Sequence, residues 1–389
     1  FQLGWLNYEV AVAGRKSEHK LGPAEYNTKQ AQGVFVVLPD KQVPLNLGAP
    51  CSTCGTKYFY SGAGDNLDST MTKASSAGAL TAKVRYDIEA DWDYAYLQAN
   101  VAGAWTNVQT DRSTTTNPFD QNLGFGITGV STSADGNWVD LTASLPSGTT
   151  SVRFRYVTDG AVVEPGFQVD DIAVAGAPIG TAETDSEGWT FAGGFRITTG
   201  TETQEFFNAY VLANREYTGY DESLKTGPYN FGFLNTRPNW VEHFPYQDGL
   251  LIDYWNTQYT DNNVGDHPGG GLILPVDAYP DLTHYSDSTL MRPRILSYDS
   301  TFGREDTDRI TIHRNTTEEY TIGPKPAAPV FDDRNTYWVA CDSHCVNGVH
   351  PGRYQPGWNG VDVPKTGTIV RVKSQTKGGF MQVEVTSAK

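Results

Sequence analysis

The feature that most constrains this sequence is a set of short segments in which apolar and polar residues alternate. Clear examples are residues 80–88, 152–157 and 167–174. Because successive side chains of a β-strand point to opposite faces, this alternation predicts strands with one buried face. Loops rich in Ser, Thr, Asn, Asp and Gly separate the segments. The pattern therefore predicts an all-β protein built from β-sandwiches.

The length and the breaks in this pattern predict the domain organisation. At about 150 residues per domain, a chain of 389 residues corresponds to two or three domains. We expect residues 1–33 to be the tail of a preceding domain and a linker, 34–177 to form a jelly roll, and 178–389 to form a second β-sandwich. The chain begins at Phe1 without a leader-like segment, so we expect its encoded start to lie upstream.

Charge and hydropathy argue against two classes of partner. Asp and Glu number 45 against 29 Lys and Arg, and the net charge of −16 repels nucleic-acid phosphates and anionic membrane surfaces. The longest apolar runs, such as residues 34–38, are far shorter than the roughly 20 residues of a membrane helix. We therefore expect neither a nucleic-acid partner nor a membrane span.

The four cysteines fall into two close pairs, Cys51 with Cys54 and Cys341 with Cys345. Two local disulfides and a single metal site both fit such pairs. Cys341, His344 and Cys345 offer three zinc ligands, but their crowding departs from the usual spacing of two distant pairs. The overall composition favours two disulfides in a secreted protein.

The sequence has no motif for a nucleophile, a nucleotide or a catalytic zinc ion. Its seven histidines never occur as His-Glu-x-x-His, and neither Gly-x-Ser-x-Gly nor a phosphate-binding glycine loop is present. Paired carboxylates of the glycosidase type occur by chance in any acidic chain, so they indicate little. The residues predict no peptidase active site within this sequence.

Calcium is a better match for the acidic residues, because it takes six to eight oxygen ligands from carboxylates and loop carbonyls. Acidic clusters lie at residues 64–68, 87–93 and 169–172, with Asp159 and Glu164 just before the last one. Strand alternation sends Asp170 and Asp171 to opposite faces, and we expect Asp171 to face a site. The alternative is that these acids are solvated loop residues.

Two further groups leave alternatives open. A set of aromatic residues would suit a sugar-binding face, but alternating aromatics in a sandwich more often pack in the core. The set is Tyr8, Tyr58, Tyr60, Trp92, Tyr94, Tyr96 and Trp105. The polar loop at residues 259–268 fits either a bound cation or a simple turn.

Several of these segments, taken in order, resemble the immune inhibitor A family of secreted bacterial zinc metallopeptidases. Residues 1–6 (FQLGWL) are similar to the end of its catalytic domain. Residues 60–68, 86–95 and 167–172 resemble its MAM-like jelly roll, and residues 210–216, 249–255 and 261–269 resemble its C-terminal β-domain.

The resemblance implies a fold, a function and a set of metal ligands. It implies an all-β chain with two β-sandwich or jelly-roll domains after a short remnant of a catalytic domain. It also implies calcium in the jelly roll, at the positions that match the family's acidic motif: Asp65, Asp68, Asp91, Asp93 and Asp171. Zinc is expected only in the catalytic part, because the zinc-binding helix of the family has no counterpart here.

The function implied by the resemblance is that of the non-catalytic, C-terminal part of a secreted zinc metalloendopeptidase. Such a part would stabilise its own catalytic domain and shape the access of protein substrates. The alternative hypothesis is a calcium-dependent adhesin that binds carbohydrates or surfaces through the same sandwiches.

Overall fold

The structure is a computed structural model that describes residues 6–226, 246–314, 318–376 and 379–388. Strands dominate it, and sheets face each other in pairs, which confirms the prediction of an all-β sandwich protein. In the described ranges, no helix has the combination of length and apolar character that crossing a bilayer requires.

The strands are numbered in chain order. The first four are β1 (Tyr8–Val12), β2 (Ser17–Leu21), β3 (Gly33–Val37) and β4 (Lys41–Asn46). The next twelve are β5 (Tyr58–Tyr60), β6 (Asp68–Ala74), β7 (Gly78–Ile88), β8 (Tyr94–Val101), β9 (Ala104–Asn107), β10 (Gly129–Val130), β11 (Val139–Leu145), β12 (Thr149–Val157), β13 (Gly166–Val174), β14 (Ala177–Gly180), β15 (Thr190–Ala192) and β16 (Arg196–Thr198). The remainder are β17 (Thr201–Phe206), β18 (Asn208–Arg215), β19 (Gly249–Asn256), β20 (Ile273–Pro275), β21 (Ile310–Arg314), β22 (Glu318–Ile322), β23 (Val330–Asp332), β24 (Thr368–Gln375) and β25 (Met381–Ser387).

The helices are short. Among the described residues, two are α-helical, α1 (Glu222–Thr226) and α2 (Pro293–Leu296), and three are 3-10 turns at Gly219–Asp221, Ser297–Asp299 and Pro356–Trp358.

The chain divides into two compact units. The first unit contains Phe1–Gln42 and Glu205–Lys389, and the second contains Val43–Gln204. These limits differ from the boundaries predicted after residues 33 and 177. The N-terminal segment belongs to the first unit because β3 pairs with both β1 and β18, and β14 to β16 belong to the second because they pair with β13, β6 and β5. That residues 1–33 derive from a catalytic domain stays a prediction, and residues 1–5 lie outside the described ranges.

The second unit is a sandwich of two sheets. One sheet has the order β10-β7-β13-β5-β16, with β11 also pairing with β7 and β14 with β13, and the other has the order β15-β6-β12-β8-β9. In β12 the alternation places Val152, Phe154 and Tyr156 in the core and the two arginines between them on the outer face. Both sheets contribute to one apolar core, which includes Val84, Leu97 and Phe167.

The first unit is also a sandwich. Its larger sheet has the order β1-β3-β18-β19-β20, and its smaller sheet has the order β2-β25-β24-β23. Val36 and Tyr210 from the larger sheet pack in the same core as Val370 and Val383 from the smaller one. A separate small core contains Met291 and Tyr298 together with residues of the β21–β22 hairpin.

The cysteines form the two predicted local disulfides, Cys51–Cys54 and Cys341–Cys345. No cysteine is left to ligate a metal through a free thiolate.

Candidate metal site in the second unit

Three carboxylates meet where strands of the second unit end. Glu89 and Asp93 lie in the turn between β7 and β8, and Asp159 follows β12. One carboxylate oxygen of each lies within 4.8 Å of the others. We call Glu89, Asp93 and Asp159 the carboxylate cluster.

The β7–β8 turn is held in shape by one hydrogen bond within its backbone and by the Thr128 hydroxyl. The Asp93 N–H donates to the Glu89 carbonyl (3.2 Å), and the Thr128 hydroxyl donates to the same carbonyl (3.0 Å). The Asp91 N–H in turn donates to the Thr128 hydroxyl oxygen (3.0 Å). Asp91 has φ of +69°, a conformation that Asp and Asn adopt more readily than other side chains. The turn thus aims Glu89 and Asp93 in one direction.

The loop after β12 is tied to this turn. The Asp159 N–H donates to Asp93 Oδ1 (2.8 Å), and the Asn66 N–H donates to the Asp159 carbonyl (2.5 Å). The Ala161 N–H donates to Asp159 Oδ1 (2.9 Å). Three separate loops therefore converge on the cluster.

Without a bound cation, the negative charges of the carboxylate cluster and the burial of Asp93 are both unfavourable. Asp93 is only 1% exposed, and desolvation raises its pKa to about 6, with further increases from the charges of Asp159, Glu89 and Asp65. The pKa of Glu89 is also raised, by desolvation and by the charges of Asp159 and Glu164. Within the described ranges, no Lys, Arg or His forms an ion pair with the three carboxylates of the cluster.

This donor set suits a hard divalent cation. Three carboxylates from two loops, one of them buried, offer the oxygen ligands that calcium uses, and its flexible coordination accepts further oxygens from backbone and water. A cation at this position would favour the charged carboxylates and so offset both the desolvation and the repulsion that raise the Asp93 pKa. The residues present therefore fit calcium.

Comparison with known families divides the chain in two. The model described as immune inhibitor A-like, MAM domain matches residues 17–199. The model described as immune inhibitor A-like metallopeptidase, VEG domain matches residues 203–379. The chain belongs to the immune inhibitor A family. The carboxylate cluster lies in its MAM domain.

Two curated relatives support the same assignment. Immune inhibitor A of Bacillus thuringiensis subsp. alesti is 27% identical over 358 residues, which cover 86% of this chain and 47% of the relative. The pre-pro-metalloprotease PrtV of Vibrio cholerae serotype O1 (strain M66-2) is 29% identical over 356 residues, covering 86% of this chain and 35% of the relative. The chain thus spans less than half the length of either relative.

Among solved structures, the K2 cleaved adhesin domain of Lys-gingipain is 20% identical and aligns with 40% of this chain and 96% of its own. The TM-score is 0.20, which is too low for any conclusion about this protein.

Within the MAM domain, the structure brings together only part of the predicted ligand set. Asp93 is in the carboxylate cluster, and Asp65 is close enough for its charge to raise the Asp93 pKa. Asp91 lies in the same turn, but its carboxylate is not one of the three that converge.

Asp68 and Asp171 have other surroundings. Asp68 forms a two-pronged ion pair with Arg155, with both N···O distances at 2.8 Å, and this arginine lowers the pKa of Asp68. Asp171 lies beside the Cys51–Cys54 disulfide. It sits in a β-bulge of β13, where the register shifts between Asp170 and Ala173, so simple alternation does not describe its direction. The geometry therefore gives no support to Asp68 or Asp171 as ligands of the same ion.

Sequence reasoning did not select Glu89 and Asp159 as ligands. Glu89 lies inside one of the acidic clusters, and Asp159 was noted only as a nearby acid. The signal that they share is position, because Glu89 lies one residue and Asp159 two residues after a predicted strand. Loops at one end of a sandwich are close in space even when they are far apart in sequence.

The aromatic residues considered for a sugar-binding face have different surroundings. Tyr58, Tyr60, Tyr94 and Tyr96 are fully buried, which agrees with the core interpretation. Trp92 and Trp105 are half-buried, and Tyr8, in the first unit, is exposed.

Proposed function

We propose that this chain is a non-catalytic part of a metallopeptidase, which stabilises the catalytic domain of that enzyme and shapes the access of protein substrates. The collinear MAM and VEG matches, over residues 17–199 and 203–379, carry the proposal. In both relatives more than half of the protein lies outside the matched region, so a catalytic domain has room there. Protein substrates would be bound and cut by that other part.

A surface of the first unit supports contact with another domain. The outward face of its larger sheet carries Val10 and Val12 on β1 and Ile273 on β20, all exposed. Phe207 and Trp255 also belong to this surface. Their rings pack edge-to-face, with centroids 5.2 Å apart. We call this surface the apolar sheet face.

The chemistry of the apolar sheet face is that of an interface. Contiguous exposed apolar side chains are uncommon on monomers and mark surfaces that another protein covers. Aromatic side chains are enriched at such interfaces. The occupant to which we commit is the catalytic domain of the same enzyme.

The test uses the full encoded enzyme and two matched variants. Val10 on β1 and Val130 on β10 are both strand residues with exposed side chains, at 55% and 57%. Val10→Lys in the first unit should shorten the half-life of peptidase activity on heating, whereas Val130→Lys in the second unit should not. Neither change should alter the unfolding of this chain alone by more than about 0.5 kcal/mol.

Two results would contradict the proposal. One is equal half-lives for the two lysine variants, which would show that the apolar sheet face does not contact the catalytic domain. The other is an encoded protein with no zinc-binding motif outside this chain, found by mapping peptides of the natural protein.

We further propose that the carboxylate cluster binds calcium and that the protein works outside the cell. The cluster supplies three carboxylates, of which Asp93 is buried, and none of the three forms an ion pair within the described ranges. The two disulfides support an extracellular location, because disulfides persist in oxidising compartments.

A further inference from the structure

Three histidines and one aspartate meet in the first unit, away from the carboxylate cluster. His284 comes from one segment, in a bridge with Leu290, and Asp342, His344 and His350 come from another. The His284 ring centroid lies 4.1 Å from that of His344 and 5.6 Å from that of His350. We call these four residues the His/Asp cluster.

Asp342 lies at the centre of the cluster. Its Oδ2 is 3.0 Å from His284 Nε2 and 3.4 Å from His344 Nδ1. Neither contact has the direction of a hydrogen bond, since both ring nitrogens are buried without a hydrogen-bond partner. The nitrogens are therefore close to the carboxylate oxygen but do not point at it.

The distances from Asp342 Oδ2 to these two nitrogens are compatible with neighbouring ligands of one ion. Zinc holds nitrogen and oxygen ligands at about 2.0 to 2.1 Å in a tetrahedral arrangement, which places neighbouring ligand atoms about 3.3 Å apart. In that arrangement each nitrogen lone pair points at the ion and not at the adjacent oxygen. The two observed contacts, at 3.0 and 3.4 Å, lie on either side of this separation.

His350 provides an independent observation. Its side chain is 2% exposed, and its Nδ1 accepts a hydrogen bond from the Gly352 N–H (3.0 Å). In the neutral ring the proton is then on Nε2, which is buried without a hydrogen-bond partner. A ring nitrogen of His350 lies within 4.8 Å of ligand atoms of both His284 and Asp342. A buried donor therefore faces the cluster with no acceptor, which is costly unless an acceptor binds there.

We propose that the His/Asp cluster is a site for zinc or a similar first-row divalent metal. His284 Nε2, His344 Nδ1 and Asp342 Oδ2 are the ligands, and a water molecule or anion fills the fourth position and accepts the His350 Nε2–H. His350 is thus a positioning residue and not a ligand.

The chemistry of the donors selects the metal. Imidazole nitrogens suit zinc and its neighbours, whereas calcium prefers oxygen ligands. The Cys341–Cys345 disulfide takes no part in coordination, but it closes the short loop that contains Asp342 and His344. Closing that loop reduces its freedom before the metal binds. The metal would then join the His284 segment to this loop.

The test measures zinc binding to the untagged chain with its disulfides intact. The chain is stripped with a chelator, dialysed into calcium so that the carboxylate cluster is saturated, and titrated with zinc by calorimetry. The expected result is one zinc ion per chain. Asp342→Asn and His344→Ala should each weaken binding by at least about 10 to 100-fold, the loss seen even for residues that only support ligands.

Two further variants test the specificity of the site and the role of His350. His267 makes a contact of 2.8 Å with Asp261 that does have hydrogen-bond direction, so His267→Ala is a matched control and should leave zinc affinity unchanged. His350→Phe should keep one bound metal, weaken it by about 10-fold and change the visible absorption of bound cobalt.

Three outcomes would overturn the proposal. They are zinc binding that His344→Ala leaves unchanged, an equal loss in His267→Ala, and binding that appears only after the disulfides are reduced. Circular dichroism of His344→Ala separates loss of a ligand from loss of the fold, since this side chain is the most exposed of the three proposed ligands.

Discussion

Replacing Asp93 by Asn tests the carboxylate cluster directly, because the change should have opposite effects with and without calcium. Asn keeps an oxygen that can accept the hydrogen bond from the Asp159 N–H, but it carries no charge. The Asp93 pKa is raised from 3.8 to about 6, which is a shift of about 2 units. At about 1.4 kcal/mol per unit, the charge destabilises the metal-free domain by up to about 3 kcal/mol at pH 7.

The pH dependence follows from the sign of that shift. A raised pKa in the folded state means that the folded chain binds more protons than the unfolded chain between about pH 4 and pH 6. The stability of the metal-free MAM domain should therefore fall as pH rises through this window. Asp93→Asn should remove this slope and raise the free energy of unfolding at pH 7 by about 1 to 3 kcal/mol, since Asn still pays part of the desolvation.

Calcium should reverse the order of the two proteins. A ligand at 1,000 times its Kd stabilises the folded state by about 4.1 kcal/mol, which exceeds the advantage of about 1 to 3 kcal/mol that Asp93→Asn has without metal, and this stabilisation needs the Asp93 carboxylate. The assay is urea unfolding with and without chelator, followed by hydrogen exchange of peptides from β7 and β8. The wild type should gain stability with calcium, whereas Asp93→Asn should gain little.

The matched control is Asp68→Asn, the same chemical change at an exposed ion pair of the same domain. It should cost no more than about 1 kcal/mol and leave the calcium response unchanged. The reasoning is refuted if Asp93→Asn destabilises the metal-free domain, or if both variants respond to calcium as the wild type does.

Three further predictions concern the second unit. Desolvation raises the pKa of the fully buried Asp170 to about 7, so Asp170→Asn should flatten the fall in stability between about pH 4 and pH 7 in urea midpoints; an unchanged slope would contradict this. Replacing Cys51 and Cys54 by Ser should lower the free energy of unfolding by about 2 kcal/mol, the value expected from loop-closure entropy for about four residues. A loss below about 0.5 kcal/mol would refute the loop-closure explanation. Phe154→Ala should lower the free energy of unfolding by about 3 to 5 kcal/mol because this ring is fully buried. Val162→Ala, on the surface, should lower it by at most about 0.5 kcal/mol in the same denaturation assay. Similar losses in the two variants would contradict the placement of Phe154 in the core.

The strands were predictable because their signal is local. Residues 152–157 alternate between core and surface over six positions, and β12 shows the same alternation in its buried and outward side chains. The cysteine pairs were predictable for the same reason, since each disulfide joins residues within one short loop.

The unit limits were not predictable from local patterns. β1 pairs in parallel with β3, and β3 pairs with β18, which lies about 170 residues further along the chain. No alternation within residues 8–37 shows which strand they will join. The first unit is therefore discontinuous in sequence, whereas the prediction divided the chain into consecutive segments.

The members of the carboxylate cluster were only partly predictable because a β-bulge and long-range loop contacts decide which acids come together. Alternation pointed to Asp171, but the bulge in β13 changes the register at that point. Asp159 reaches the cluster through a hydrogen bond from its N–H to Asp93, 66 positions away in sequence. Sequence composition identified the acids, but only the fold selects among them.

The two proposed metal sites differ in donor chemistry, so selective chelators should distinguish them. The carboxylate cluster offers oxygen atoms alone, in a domain where burial raises the Asp93 pKa. The His/Asp cluster offers two imidazole nitrogens for each carboxylate oxygen. A calcium-selective chelator should therefore destabilise the second unit alone, and a chelator selective for zinc should destabilise the first. If one chelator affects both units equally, the assignment of a hard cation to one site and a borderline cation to the other is wrong.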